Sequence, residues 1–122
     1  RARGRSCARG CAARIDHVER MLRFIAERAH DPISAEDVAG ATTLHPNYAM
    51  TLFRRAVGHT ITQAITRHRL DTAQSLLIST DRPIAEIVFG AGFGSSSRFY
   101  EAFDQRFGES PGEFRQRMRR GG

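Results

Sequence analysis

Residues 84–114 read IAEIVFGAGFGSSSRFYEAFDQRFGESPGEF, and this stretch decides the fold. It opens with apolar residues at helical spacing, which predict a short helix, and the pair Gly92-Phe93 then predicts a tight turn. Three aromatic residues at steps of four give the next helix one apolar face: Phe99, Phe103 and Phe107. Gly108 is the expected stop of that helix, because glycine adopts the left-handed backbone of a helix end without strain.

The same plan occurs earlier in the chain, so the fold contains an internal repeat. Three pairs of matching residues lie 50 positions apart: Phe53 and Phe103, Gly58 and Gly108, and Thr60 and Ser110. Ahead of the turn the spacing is 49, as between Val38 and Ile87, so the second copy has one more turn residue near Gly94. Each copy is a short helix, a tight turn and a longer helix with one apolar stripe, which is the helix-turn-helix arrangement.

Helix boundaries follow from capping residues. Three capping boxes are expected, each with a hydroxyl residue and an acid or amide three positions later: Ser34 with Asp37, Thr60 with Gln63, and Ser110 with Glu113. Proline is favoured at the first helical position, so Pro46 and Pro111 also mark helix starts. The longest helix is predicted from about Ile61 to Ser79, because the sequence Asp-Arg-Pro at 81–83 breaks it.

Helical periodicity begins at Ile15, whereas residues 1–14 contain five Arg and two Gly and have no apolar face. We expect residues 1–14 to be a flexible basic leader or linker, 15–79 the first helix-turn-helix subdomain with the linker helix, and 80–122 the second subdomain. No stretch alternates with period two. The predicted fold class is therefore all-α, with about seven helices and two helix-turn-helix subdomains joined by one long linker helix.

Charge is the strongest global feature. The 122 residues include 19 basic residues, all arginine, against 13 acidic ones, for a formal net charge of +6. This excess favours a polyanionic partner, either nucleic acid or an anionic membrane surface. No apolar run is long enough to span a membrane, and the N-terminus does not read as a signal peptide, so we expect a cytoplasmic protein that does not enter a membrane.

Two cysteines and the histidines suggest no metal chemistry. Cys7 and Cys11 are too few for a zinc site, which needs about four ligands, so we expect reduced thiols and no metal or cofactor. The histidines at positions 45, 59 and 68 are expected to be surface residues or satisfied polar groups.

The second copy resembles the DNA-binding domain of the AraC/XylS family of bacterial transcription regulators. The resemblance lies in these positions: Ile84-Ala85-Glu86-Ile87-Val88, Gly92-Phe93, Ser97-Arg98-Phe99, Phe103, Phe107-Gly108, Ser110-Pro111 and Phe114-Arg115. The similarity covers about Ile15 to Met118. Three positions depart from the common family pattern: Thr43 in place of Gly, Phe114 in place of Tyr, and Glu101 where many relatives have a basic or polar residue.

The resemblance implies a transcription regulator that binds double-stranded promoter DNA and activates by recruiting RNA polymerase. Many members of the family also carry an N-terminal domain that binds an effector and dimerises. The arginine-rich leader is compatible with the end of a linker from such a domain.

The second helix of each copy can enter a major groove, so its exposed face is the expected reading surface. In the first copy these positions share one face at i, i+3, i+4 and i+7: Asn47, Met50, Thr51 and Arg54. Asparagine can pair bidentately with adenine, while threonine and methionine can contact a thymine methyl. The resemblance points to the same positions. The alternatives are an ordinary solvated face and, for Met50, a place in the core.

In the second copy the corresponding surface carries Ser96, Ser97, Tyr100 and Glu101. A glutamate facing phosphates is repelled unless it accepts a hydrogen bond from cytosine N4 or pairs with Arg98 or Arg54, so we expect a weaker reader. Phosphate contacts are expected at the helix starts of Thr60 and Ser110. Four arginines are further phosphate candidates: Arg55, Arg67, Arg69 and Arg98.

The linker helix does not by itself fix the separation of the two reading helices, but its length is similar in scale to the groove repeat of DNA. About 18 residues span roughly 27 Å, and successive major grooves on one face of DNA lie about 34 Å apart. Adjacent grooves are therefore within reach. We predict a bent, asymmetric site of about 17 to 20 base pairs.

Two alternatives compete with this interpretation. Residues 87–94 look like an apolar strand running into a glycine-rich phosphate loop, but a dinucleotide fold needs a second strand and an acidic residue further on. A capped helix follows instead, so we expect no enzyme. A non-specific architectural or adaptor protein is disfavoured because non-specific binding needs mainly cations, whereas several readers are uncharged: Asn47, Thr51, Ser96 and Ser97.

Overall fold

The computed structural model describes the backbone of residues 2–121 and the side chains of residues 15–120. Over the described backbone the chain forms seven helices and no strand. In chain order they are α1 (Ala2–Arg28), α2 (Ala35–Ala39), α3 (Pro46–Val57), α4 (Ile61–Ser79), α5 (Ile84–Gly90), α6 (Ser96–Phe107) and α7 (Pro111–Gly121). The predicted all-α fold of about seven helices, with a long linker helix α4, is confirmed.

Helix α1 is longer than the sequence led us to expect. It begins at Ala2 rather than at Ile15, so the backbone of residues 2–14 is helical where we expected a flexible leader. The reason lies in the composition, because alanine and arginine are among the strongest helix formers and this segment contains no proline. The side chains of residues 1–14, including those of both cysteines, lie outside the described residues.

The internal repeat is confirmed by the helix boundaries. Helices α3 and α6 each contain 12 residues, and both ends of α6 lie 50 positions after those of α3. The N-caps of α2 and α5, Ser34 and Pro83, lie 49 positions apart. Gly58 and Gly108 end α3 and α6 in the left-handed conformation, with φ of 95° and 74°.

The two copies differ in the turn between their helices. Gly92 has a φ of 101°, but its counterpart Thr43 does not share this conformation, since no described residue other than glycine has a positive φ. In the first turn the Thr42 hydroxyl donates to the Ala39 carbonyl at 2.8 Å and accepts from the Leu44 N–H at 3.2 Å. Because Thr43 does not need a positive φ, the first turn accommodates threonine where the family commonly has glycine.

Packing divides the chain into two units, and the division differs from the one we expected. The first unit comprises Arg1–Arg28 and Ile33–Ala64, and the second comprises Ala29–Pro32 and Ile65–Gly122. The boundary thus falls inside α4, whereas we expected the whole linker helix to belong to the first subdomain. The reason is that α4 buries Leu70, Ala73 and Leu77 in the core that α5, α6 and α7 also form.

In the first unit, α3 packs one face inward. Its residues Ala49 and Phe53 are fully buried, and so are Met21 on α1 and Val38 on α2. Burying a large apolar side chain stabilises the fold by about 1.5 to 3 kcal/mol. The inward stripe leaves the opposite face of α3 to solvent.

The core of the second unit is largely aromatic. Phe103 of α6 has three aromatic neighbours whose ring centroids lie 4.5 to 5.6 Å away: Phe99, Phe107 and Phe114. Tilted and edge-on contacts of this kind add about 0.5 to 1.5 kcal/mol each beyond the area they bury. They fix α6 with its other face toward solvent.

All three predicted capping boxes form: Ser34 with Asp37, Thr60 with Gln63, and Ser110 with Glu113. In each, the backbone N–H of the first residue donates to the side chain of the second at 2.9 to 3.1 Å. The hydroxyl in turn accepts from the backbone N–H of the second residue at 3.1 to 3.3 Å. The backbone and hydroxyl of Ser110 hold the pKa of the Glu113 carboxyl below its ordinary value.

Candidate nucleic-acid interface

Helix α3 presents the predicted reading residues on its solvent side. Asn47, Thr51 and Arg54 are exposed, and Met50 is half-buried, so Met50 is not a core residue. Three of these side chains line one side of a cleft of about 260 Å³, and the start of α4 at Thr60 lines the other. On the helix that is expected to enter a groove, the polar residues Asn47, Thr51 and Arg54 therefore lie next to the apolar side chain of Met50.

The start of α3 is fixed by His45, to which the sequence assigned no role. Its Nδ1 accepts a hydrogen bond from the backbone N–H of Asn47 at 3.2 Å, so the imidazole caps the helix. Simple rules miss this cap, because serine, threonine, aspartate and asparagine are the preferred residues there. Within residues 15–120 the side-chain amide of Asn47 has no hydrogen-bond partner, which leaves its donor and its acceptor available to a base.

Thr51 uses its hydroxyl inside the helix. The Oγ1 donates to the carbonyl oxygen of Asn47 at 3.0 Å, one turn earlier. Since Thr51 is exposed, its methyl group is what remains for an external contact. The side chain is therefore suited to apolar contact, such as a thymine methyl, more than to hydrogen bonding.

Helix α6 carries the second set of predicted readers, and all of them are exposed: Ser96, Ser97, Arg98, Tyr100 and Glu101. The helix is capped by Ser95, whose hydroxyl accepts from the Arg98 N–H at 3.3 Å, a cap that the sequence analysis missed. The signal was available, because serine is among the preferred N-cap residues and Ser95 directly precedes the helix. Tyr100 is 45% exposed, and its ring packs edge-on against Phe99, with centroids 5.7 Å apart.

Glu101 distinguishes α6 from α3. Within residues 15–120 it forms no ion pair, so the alternative in which Arg98 neutralises it is not observed. By the repeat, Glu101 and Asp104 occupy the positions that Thr51 and Arg54 hold on α3. This face of α6 therefore carries two carboxylates where α3 carries a hydroxyl and a guanidinium.

Arg69 is not available to phosphate, which corrects the sequence-based expectation. It is half-buried on α4, where Nε donates to the Ala29 carbonyl at 2.6 Å and Nη2 to the Asp31 carbonyl at 2.8 Å. Burial of the guanidinium lowers the pKa of Arg69. This arginine belongs to the architecture of the second unit.

Arg115 has a similar structural role that the sequence analysis missed. Its guanidinium donates to the carbonyl oxygens of Leu77, Arg82 and Thr80 at 3.0, 2.7 and 3.0 Å. The last carbonyls of a helix lack intrahelical donors, so Arg115 satisfies the end of α4 and the turn after it. The sequence could have indicated a donor of this kind, because the last carbonyl groups of every helix need hydrogen-bond donors from elsewhere.

The remaining arginines predicted to contact DNA differ from these two. All four are exposed and, within residues 15–120, their guanidinium groups make no hydrogen bond or ion pair: Arg54, Arg55, Arg67 and Arg98. Other arginines are neutralised locally, as when Arg106 pairs with Asp71 at 3.0 Å and Arg117 with Glu109 at 2.6 Å. Exposed arginines without such a partner lie on other elements as well, as Arg23 on α1 and Arg120 on α7 do within residues 15–120.

Two further findings concern what the described part of the chain lacks. Among its residues there is no group of three or more His, Cys, Asp or Glu side chains that could hold a metal ion. None of its helices combines the length and the apolar character needed to cross a membrane.

Two tandem helix-turn-helix copies, each with an exposed polar face on its second helix, define a DNA-binding domain. A family model described as a helix-turn-helix domain matches residues 38–117. The chain belongs to this family, in its AraC type, whose members are DNA-binding transcription regulators.

Known proteins agree with this assignment. The melibiose operon regulatory protein of Escherichia coli (strain K12) is 42% identical over 99 residues, which are 81% of this chain and 33% of that protein. The chain thus spans a third of the length of that relative. The C-terminal domain of AraT, a response regulator from Geobacillus stearothermophilus, is 28% identical with a TM-score of 0.77, covering 82% of this chain and 84% of that one.

A solved complex shows the same fold. The DNA-binding domain of AdpA, described as a global transcriptional factor in complex with a target DNA, superposes with a TM-score of 0.79. The match covers 84% of this chain and 92% of that one. At 24% sequence identity this likeness concerns the fold alone.

Proposed function

We propose that the chain recognises a specific sequence of double-stranded DNA by placing α3 and α6 in two adjacent major grooves. One observation supports this above the others. In each copy, a fully buried apolar stripe lies opposite an exposed face that includes uncharged polar side chains beside charged ones. Base edges are read by such side chains, whereas phosphates are held mainly by cations.

Helix α3 is the principal reader. Asn47 pairs bidentately with an adenine, because its amide is free and asparagine matches the N6 and N7 edge of that base. Thr51 contacts a thymine methyl through its own methyl group, and Met50 extends this apolar contact at the edge of the cleft. Arg54 completes the face as a cation beside the readers.

Helix α6 is the secondary reader. Ser96, Ser97 and Tyr100 offer hydroxyl groups to bases or phosphates. Glu101, which forms no ion pair within residues 15–120, accepts a hydrogen bond from cytosine N4, the base donor that carboxylates usually contact in the major groove. Its charge and that of Asp104 weaken attraction to the phosphates on either side.

Phosphate contacts hold the domain in register. Arg55, Arg67 and Arg98 serve this purpose, since each is exposed and unpaired within residues 15–120. The N-termini of α4 at Thr60 and α7 at Ser110 add partial positive charge and the backbone N–H groups that their capping boxes leave free.

The role of this chain in the cell is inferred from the family to which it belongs. We infer that the chain is the DNA-binding part of a transcription activator that works in the cytoplasm at the nucleoid. It recruits RNA polymerase when it is bound upstream of a promoter, and it acts by binding rather than by catalysis. An N-terminal domain that binds an effector and dimerises, as in many family members, is its expected companion.

Selection of binding sites from random double-stranded DNA tests the proposal. We expect an enriched site of about 17 to 20 base pairs with two blocks of preferred bases, one per reading helix. At physiological salt, specific binding should exceed non-specific binding by about 10³-fold or more. A ratio near one would instead favour a non-specific architectural protein, and a single short block would show that only one copy reads DNA.

A further inference from the structure

The segment Ala29–Pro32 lies between α1 and α2 in the chain but packs in the second unit. Ala29 is only 2% exposed there. Two hydrogen bonds from Arg69 on α4 hold the segment by its carbonyl oxygens at Ala29 and Asp31. A guanidinium can donate in two fixed directions at once, so both ends of the segment are held by one side chain.

The turn between α5 and α6 meets the same segment. Gly92 has a φ of 101°, and a Cβ built on it would lie 2.5 Å from the carbonyl oxygen of Ala29 and 2.9 Å from the Cα of His30. The Nε of Arg69 would lie 3.0 Å away. Since backbone atoms cannot yield as a flexible side chain does, only glycine lets the turn lie against this segment in this conformation.

The turn leads directly into the second reading helix. Phe93, next to Gly92, is buried, and its ring packs edge-on against Phe99 at 5.1 Å. Phe99 lies in the first turn of α6, beside the exposed readers Ser97 and Tyr100. Because the core is close-packed, a displaced turn moves Phe93 and the first turn of α6 together.

We propose that Arg69 and Gly92 are positioning residues for base reading by α6. They hold the turn against the segment Ala29–Pro32 and thereby set the direction in which Ser97 and Tyr100 leave the helix. Recognition sites need their side chains held within about 0.5 Å of the productive geometry, so a shifted turn costs discrimination between bases. The proposal rests on the reading role proposed above for α6.

Two variants test it from opposite sides of the contact. Gly92→Ala places a methyl group against the Ala29 carbonyl, and Arg69→Lys keeps the charge but removes the two-directional donor. Gly94→Ala is the matched control, because it adds the same methyl in the same turn with no atom within 4 Å and no left-handed φ. Affinity is measured for the selected DNA site and for each of its single base-pair variants, alongside thermal unfolding.

Base pairs are first assigned to a helix. The base pairs read by α3 are those at which Asn47→Ala loses discrimination between bases. The base pairs read by α6 are those at which Ser97→Ala loses it. We expect Gly92→Ala and Arg69→Lys to lose most of the discrimination at the α6 base pairs, which is about 5- to 150-fold for a well-made contact. Both variants should keep discrimination at the α3 base pairs. The control Gly94→Ala should keep discrimination at the base pairs of both helices.

Unchanged discrimination at the α6 base pairs would overturn the positioning role, as would an equal loss at both sets that follows lowered thermal stability. If Gly92→Ala does not fold, Arg69→Lys decides the question. Failure of both to fold would also overturn the proposal, because the contact would then serve the fold rather than reading. A wild-type chain that selects no sequence removes the reading role itself, whereas a selected site with unaffected variants removes only the positioning role.

Discussion

Replacement of Asn47 should lower the affinity for DNA through one base pair only. The His45 cap fixes its backbone, and its side-chain amide lies free on the solvent side of α3. We expect Asn47→Ala to cost about 1 to 3 kcal/mol at the adenine it reads, because both hydrogen bonds to that base are lost. Affinities for a panel of single base-pair variants of the selected site measure this, and equal losses on every DNA would show that Asn47 is not a reader.

Thr51 should act through its methyl group, because its hydroxyl is bonded to the Asn47 carbonyl. Thr51→Val, which keeps a methyl at that place, should leave DNA affinity nearly unchanged. Thr51→Ser should lose about 0.8 kcal/mol, the value of one buried methyl group, and replacing the contacted thymine by uracil should cost the wild type the same amount. The serine variant should then be indifferent to uracil. The opposite order, with valine impaired and serine intact, would assign the contact to the hydroxyl.

Exposure of the reading residues could be predicted from the sequence, because the period of a helix decides its faces. Once Ala49 and Phe53 are placed inward, Asn47 and Thr51 must face solvent. The role of Arg69 could not be predicted in this way. Its acceptors lie 40 and 38 positions away along the chain, and nothing local indicates a contact of that range.

At the scale of the element, the glycines that end α3 and α6 should be costly to replace. Gly58 and Gly108 have φ of 95° and 74°, and a Cβ on either would meet nothing within 4 Å. The cost of alanine there is therefore conformational alone, about 1 to 2 kcal/mol. Gly90→Ala is the control, since its surroundings are equally open and its φ is not positive. We expect it to be neutral or to stabilise by up to about 1 kcal/mol.

Urea unfolding measures these changes through the shift of the midpoint at constant slope. Equal stability of the Gly58→Ala and Gly90→Ala variants would show that the left-handed helix end carries no strain for alanine.

Most helix boundaries could be predicted because capping chemistry is local, as in Thr60 with Gln63. The start of α1 could not, because a segment rich in alanine and arginine suits a helix as well as a leader. The repeat also includes tertiary hydrogen bonds, which the spacing of apolar residues did not indicate. Arg69 donates to the Asp31 carbonyl and Arg119 to the Thr80 carbonyl, with donors 50 and acceptors 49 positions apart. Such matched tertiary contacts become visible only once the helices are packed.

For the whole molecule, all 19 basic residues are arginine, and those with described side chains differ in what they contact. Within residues 15–120, one set binds carbonyl oxygens or carboxylates of the protein itself, and the other set has no such contact. Arg67 belongs to the second set, so Arg67→Ala should weaken binding to all DNA sequences alike and lower the salt slope of log affinity by about one. Arg20, which pairs with Asp16 at 3.1 Å, supplies the control, and Arg20→Ala should leave the slope unchanged. A base-dependent loss in Arg67→Ala would reassign this residue to reading.

The last prediction concerns the shape of the bound DNA. Helix α4 has 19 residues, about 28 Å at 1.5 Å per residue, against a groove repeat of about 34 Å. The length of α4 does not by itself fix the separation of the two reading helices, but if that separation is shorter than the repeat, both can enter grooves only when the DNA bends toward the protein. We therefore expect the site of about 17 to 20 base pairs to migrate as bent DNA in a circular-permutation gel.

The weaker reader should control this bend. The carboxylates at Glu101 and Asp104 make α6 the helix that leaves its groove first, so Ser97→Ala should straighten the DNA while Asn47→Ala, at matched occupancy, should not. Straight DNA contacted along its full length by the wild-type chain would contradict the prediction, because it would mean that both grooves are reached without deformation.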